Sequence, residues 1–313
     1  MQQAGPVISS DFPDPAIIKV GDTWYAFGTQ SVYDYTDVKV QIATSTDFYT
    51  WSLRGGQDVL RNLPAWVDTS STGAEKVWAP DVFQNDDGTF VMYFSATTNT
   101  AGNGNFHCIG TATSSSVDGP YDSNTDTPFA CDTDQGGSID ASHFRDVDGS
   151  HYITYKIDGN ALGNGGACGN TVDPIKSTPI MLQQVASDGC TKIGVATEIL
   201  TNGQYDGPLV EAPSMMRTGD GTYVLFFSSQ CYIDANYDTS YATASSVTGP
   251  FTKTQYPLLN QGYQDDIRGP GGADIDTDGS HMAFHAYDTS ADVGKRRAMF
   301  VATVRFSNNV VSY

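Results

Sequence analysis

Five short apolar runs recur along this chain: WYAFGT (24–29), FVMYFSA (90–96), HYITYKI (151–157), YVLFFSS (223–229) and HMAFHAY (281–287). They are rich in aromatic and β-branched residues, which suit a pleated and buried surface. Each follows a glycine turn: GDT at 21–23, DGT at 87–89, DGS at 148–150, DGT at 220–222 and DGS at 278–280. Asp-Gly between apolar stretches marks a hairpin, because both turn positions tolerate positive φ. No long segment carries apolar residues at helical spacing. The pattern predicts an all-β protein.

The turn residues fall at 21, 88, 149, 221 and 279, at intervals of 67, 61, 72 and 58. A period of that size, met five times, signals a repeat architecture. A second echo supports it: TATSSSVDGPY (111–121) and YATASSVTGPF (241–251) agree at seven of eleven positions, two repeats apart. A repeat of about 65 residues accommodates a four-stranded antiparallel sheet with its loops, which is a propeller blade. The expectation is a five-bladed β-propeller with blades around a central channel, formed by residues 1–313 as one domain without linkers. A two-sheet sandwich is the rival; solenoid repeats are usually shorter and more regular.

An acid precedes each turn on what would be the first strand of each repeat: Asp14, Asp81, Asp140, Glu211 and Asp274, the last in a looser register. First strands of blades line the central channel, so these acids are expected to converge there. Of 36 acidic residues only Glu75, Glu198 and Glu211 are Glu, and Glu211 sits in LVEAPSM between Leu209, Val210, Ala212 and Pro213. Clustered carboxylates raise one another's pKa, and Glu211 in its apolar frame is expected to hold a proton near neutral pH. A protonated carboxyl opposite an ionised one is the equipment of glycoside hydrolysis.

Those same stretches carry a resemblance. FPDPAI, WAPDV, SIDASHF and VEAPSM, in that order, resemble glycoside hydrolase family 43, five-bladed propellers that remove arabinose or xylose from plant polysaccharides by inversion. The resemblance implies Asp14 as general base, Glu211 as general acid and Asp140 as the residue that tunes and orients the acid. It spans nearly the whole chain. FFSSQCYIDANYDTSYATASSVTGPF and GPGGADIDTDG are most similar to fungal arabinofuranosidases or arabinanases. The implied activity is exo release of α-L-arabinofuranose, with β-xylosidase and endo-1,5-α-L-arabinanase as alternatives and a catalytically inactive sugar-binding propeller as the non-enzymatic one. Relatives carry a His after the GPG of the fifth blade that binds an axial calcium. Here Gly272 stands in that place, so no cofactor is expected to be required.

Trp78, Asp81, Phe27 and His285 are the candidate substrate contacts; aromatic faces stack on sugar C–H groups, although most of the four Trp, 17 Tyr and 15 Phe should be core. Loops near 31–38, 99–107 and 159–173 are the candidates for closing the cavity, which would favour exo over endo cleavage. DIDTDG (274–279) lacks both the Glu at the twelfth position and the helices of an EF-hand. His281 and His285 lie on a strand, not on a zincin helix. Glycine-rich 159–170 matches no phosphate loop.

A net charge of −20 argues against nucleic acid and anionic membranes as partners. The resemblance implies a plant cell-wall oligosaccharide or polysaccharide as the partner, and the chain is expected to be monomeric. No apolar run approaches the roughly 20 residues of a membrane span. The opening MQQAGPVISS lacks the form of a signal peptide, so the chain reads as a processed, secreted protein bearing a start Met. Cys108, Cys131, Cys168, Cys190 and Cys231 show no metal-ligand spacing and suit two disulfides plus a free thiol. The pairs nearest in sequence are Cys108–Cys131 and Cys168–Cys190.

Overall fold

Every apolar run identified above becomes the second strand of an antiparallel sheet. The computed structural model describes residues 5–69, 77–99, 106–123, 125–262, 267–287, 292–307 and 310–312. Blade I is Ala16–Val20, Thr23–Gly28, Gln41–Ser45 and Ser52–Leu53; blade II is Val77–Gln84, Phe90–Thr97, His107–Ser114 and Asp122–Ser123. Blade III is Ser138–Arg145, His151–Ile157, Ile180–Val185 and Lys192–Leu200; blade IV is Val210–Arg217, Tyr223–Ser229, Asp238–Ala244 and Thr252–Lys253. In each of these four sheets the strands pair in chain order from the inside outwards. The protein is a five-bladed β-propeller.

Blade V departs from the expected four strands. It contains Arg268–Ile275, His281–Tyr287 and Ala298–Thr303, and its outer edge is met by the N-terminal segment. Ile8 bridges Met299 antiparallel, Val7 N–H donates to Met299 O at 2.8 Å, and Phe12 N–H donates to Arg297 O at 2.8 Å. The start of the chain thereby completes its last sheet and ties the ring shut.

The strands read as continuous apolar runs because each blade is covered on both sides. All eight residues of Phe90–Thr97 are buried. Five clusters fill the five seams. Phe27 and Ile42 meet Met92 and Phe94 between blades I and II; Tyr93 and Ile109 meet Ile153 and Tyr155 between II and III. Leu182 meets Leu225 between III and IV, Phe226 meets Phe284 between IV and V, and Trp24 meets Met299 between V and I. Each such buried side chain contributes roughly 1.5–3 kcal/mol. Phe27, expected at the substrate, is instead fully buried in the first seam, edge-on to Tyr121.

The two echo segments become the third strands of blades II and IV, each running into a cis Gly-Pro bond, Gly119–Pro120 and Gly249–Pro250. The turn signal is equally local: Gly149 has φ +85°, where a Cβ is disfavoured.

One disulfide is as expected, Cys108–Cys131. The other is not. Cys168 bonds Cys231, 63 residues away, and Cys190 is a half-buried free thiol. Proximity in sequence misleads here because the 159–173 loop reaches from blade III to the turn after the second strand of blade IV. A non-reducing peptide map should recover a Cys168–Cys231 crosslink and alkylated Cys190; a Cys168–Cys190 crosslink would overturn the pairing.

Candidate active site

The innermost strands do not run straight. At corresponding places near the starts of the inner strands five residues have positive φ: Asp14 (+49°), Ala79 (+40°), Asp140 (+58°), Ala212 (+49°) and Gly272 (+56°). In blades II to V the pairing register shifts at the same place. Such a bulge breaks the alternation of the pleat and re-aims the side chains beside it. Four of the five residues are not glycine, a costly conformation of the kind that clusters at functional sites.

The bulge also corrects the register expected for the acids. Asp14 and Asp140 occupy the positive-φ position itself, Glu211 lies one residue before it, and Asp81 and Asp274 lie two after. The five are therefore not equivalent. Asp81 and Asp274 tie blades together: Asp81 Oδ2 accepts His143 N–H at 2.8 Å, while Asp274 accepts Ile17 N–H and the Ser214 hydroxyl, both at 2.8 Å. Burial raises both, Asp274 to about 6, and the Asp274 charge adds to the rise at Asp81.

Asp14, Asp140 and Glu211, with Trp78, Asp81 and Asp274, line one cavity of about 450 Å³. Val32 and Tyr33 of the 31–38 loop and Asn160 and Cys168 of the 159–173 loop form part of its wall. Of the third loop, residues 100–105 lie outside the described residues. Trp78 stacks on His107 with ring centroids 3.6 Å apart, whereas Trp24, Trp51 and Trp66 are core.

Asp14 is firmly held. Its Oδ2 accepts the Thr29 hydroxyl at 2.6 Å, and its Oδ1 accepts Arg297 Nη1 at 3.1 Å. Burial pushes its pKa up, but the Arg297 charge above all and the Thr29 hydroxyl keep the carboxyl well below the usual range. His285 is fully buried behind it and does not line the cavity. Burial depresses its pKa, so the ring is neutral, and Nδ1 accepts Asp14 N–H at 3.1 Å. His285 thus positions Asp14 instead of meeting a sugar.

Gly272 makes room for this arrangement. A Cβ there would lie 2.6 Å from the His285 ring and 3.0 Å from Asp14 Oδ1. The His through which the resemblance would hold an axial calcium is absent at this position. Gly272 brings no ligand, and calcium prefers oxygen donors. His285 Nε2 is buried without a hydrogen-bond partner.

Glu211 differs most from expectation. Leu209 and Val210 are buried in the fold, but the Glu211 carboxylate meets polar groups. Its Oε1 accepts Tyr237 O–H at 2.8 Å, and its Oε2 lies 2.9 Å from Lys156 Nζ. Flanking residues on a strand point elsewhere, so an apolar neighbourhood in sequence did not become one in space. The carboxyl driven to keep a proton is Asp140, pushed up to about 8 by burial and then by Glu211, with Lys156 opposing. Its Oδ2 accepts Ala212 N–H at 3.0 Å, binding it to the strand that carries Glu211.

Lys156, Arg297, Tyr237 and Thr29 were not singled out from the sequence. Lys156 left a trace, an ammonium inside the apolar run HYITYKI, and buried Lys is rare unless paired. It is only 1% exposed and also lies 2.9 Å from Asp158. Burial acts to neutralise it, but Asp158, Glu211 and Asp140 hold its pKa above the ordinary value. Breaking such a pair typically costs roughly 3–5 kcal/mol.

These raised carboxyls set a pH dependence of stability. Asp140 and Asp276 both titrate near 8 when folded, against 3.8 for the free side chain. Between these values the folded state holds protons that the unfolded state does not, so stability falls as pH rises. The buried histidines His143, His151 and His285 act oppositely, but only below their ordinary 6.5, where the unfolded chain gains protons. Tm measured by calorimetry should therefore fall between about pH 6.5 and pH 9. Asp140→Asn should flatten the decline; a flat or rising wild-type profile would contradict the assignment.

Comparison with known proteins bears on the fold and the family. An extracellular endo-α-(1→5)-L-arabinanase of Bacillus subtilis is 24% identical over 288 residues, 88% of this chain and 80% of that protein. A Thermotoga petrophila protein of the same description is 31% identical over 120 residues, 34% of this chain and only 22% of that one. The crystal structure of a thermostable family-43 glycoside hydrolase superposes with a TM-score of 0.77 at 24% identity, covering 97% of this chain and 92% of the other. The profile of Glycosyl hydrolases family 43 matches residues 4–310. The chain belongs to that family.

Proposed function

We propose that the protein is an inverting glycosidase that releases terminal α-L-arabinofuranose from plant cell-wall arabinan, arabino-oligosaccharides or arabinoxylan. The observation that carries this reading is the meeting of Asp14, Asp140 and Glu211, from three blades, on one cavity of about 450 Å³. Asp14, held ionised by Arg297, takes a proton from the water whose oxygen attacks the anomeric carbon. As that bond forms, the bond to the leaving oxygen breaks, and Glu211 supplies the proton that oxygen needs. Asp140 orients Glu211 through the Ala212 amide, and the one proton held by the Asp140–Glu211 pair is the proton that Glu211 passes to the leaving oxygen. No step calls on a metal.

Exo action is supported by the two loops that wall the cavity, one of them tethered by Cys168–Cys231. A second reading, endo cleavage of α-1,5-arabinan, is favoured by the names of the curated relatives. β-Xylosidase activity comes third, since both sugars are pentoses. Two disulfides and the extracellular relatives support secretion, and the chain is taken to act as a monomer.

A product time course on linear arabinan, branched arabinan and xylo-oligosaccharides, with anomers followed by NMR, tests the reading. Arabinose should appear from the outset with inverted configuration, and at the same rate after chelation; early oligosaccharides would favour the endo reading, and retention would exclude the mechanism. Glu211→Gln should lose on the order of 10²–10⁴-fold on oligosaccharides and far less on nitrophenyl glycosides, whose leaving groups need little protonation. Asp14→Asn should lose comparably on both. Equal losses for Glu211→Gln on the two substrates would remove it as the acid.

A further inference from the structure

We propose that Asp158 is a positioning residue for the general acid: it shares the Lys156 ammonium with Glu211 and so lets the Asp140–Glu211 pair retain the proton given to the leaving group. This rests on the reading of Glu211 as that acid.

The geometry begins with a lysine that has nowhere else to go. Lys156 is on the second strand of blade III, 1% exposed, and crosses the seam to Glu211 on blade IV. Asp158, just past the end of the same strand, takes the other side of the ammonium at an equal 2.9 Å. Asp158 is itself 8% exposed and lines the cavity.

A charge count gives the role. Three carboxyl groups, Asp140, Asp158 and Glu211, face one ammonium. If Lys156 answered Glu211 alone, a charged Glu211 would be matched and a proton there would compete with a cation at contact distance. Asp158 cancels Lys156 instead. The Asp140–Glu211 pair is left with an excess of negative charge in a buried setting, and one proton relieves it. Like all coupled sites, the pair titrates as a unit.

The remaining groups around Glu211 do not alter the count. Tyr237 donates to Oε1, and burial and the Glu211 charge hold its hydroxyl protonated. His285 is neutral, and Asp14 and Arg297 form their own ion pair. Asp81 and Asp274, which share the cavity, keep their protons more readily than an ordinary Asp.

The test is a set of charge swaps with two readouts. One is the alkaline limb of kcat/KM on an arabino-oligosaccharide; the other, independent of turnover, is ¹³C NMR titration of the Asp140 carboxyl, assigned with Asp140→Asn. Asp158→Asn should move both to lower pH by about one unit or more. Lys156→Met should move both to higher pH, and the double variant Asp158→Asn/Lys156→Met should return them close to wild type. If Lys156→Met does not fold, Asp158→Glu should restore the wild-type limb that Asp158→Asn loses. An unmoved Asp140 titration in Asp158→Asn, or a shift of both single variants in one direction, overturns the proposal. A moved titration with an unmoved kcat/KM limb instead overturns Glu211 as the acid.

Discussion

One backbone device underlies the site: the break in the pleat of each inner strand. A regular strand sends successive side chains to opposite faces, and in a propeller both faces belong to the seams. Only where the alternation fails can a side chain turn into the channel. Residues at positive φ mark those places. Asp14 and Asp140 stand directly on them and Glu211 beside one, so three distant stretches of chain open onto a common space. The conformation is costly for residues with a Cβ, and it is held by the ten flanking strand faces packed in the seams.

The electrostatics follow from where the counter-charges lie. Asp14 has Arg297 and a hydroxyl to itself, which suits a group that must accept a proton. Glu211 shares a single buried ammonium with Asp158, and Asp140 feels that charge without touching it. The same element, buried carboxylate, is thereby driven to opposite protonation on the two sides of one cavity. Gly272 serves the first side by its lack of a side chain, since only a glycine leaves space for His285 behind Asp14.

Much of the fold was legible in the chain because its signals are local. Asp-Gly turns and aromatic runs name the second strand of every blade, and their spacing counts the blades. The three acids of the proposed mechanism were legible as an ordered set of motifs. The N-terminal segment that meets the outer edge of blade V was not, since it comes from the other end of the chain, and neither was the Cys168–Cys231 bond. Phe27 and Trp78 look alike as aromatic residues near strand ends, yet one is sealed in a seam and the other lines the cavity.

The sequence by itself determined the class of structure, the number of repeats and which acids are candidates, because periodicity and turn chemistry act over a few residues. Tertiary structure alone decided the partners of those acids. Lys156 lies 55 residues from Glu211, and Arg297 lies 283 from Asp14. A carboxyl's protonation depends on charges within a few ångströms and on the water excluded around it, and neither is set by its neighbours along the chain. That is why the apolar flanks of Glu211 did not foretell its contacts with Lys156 and Tyr237, or that burial would drive Asp140 to keep a proton.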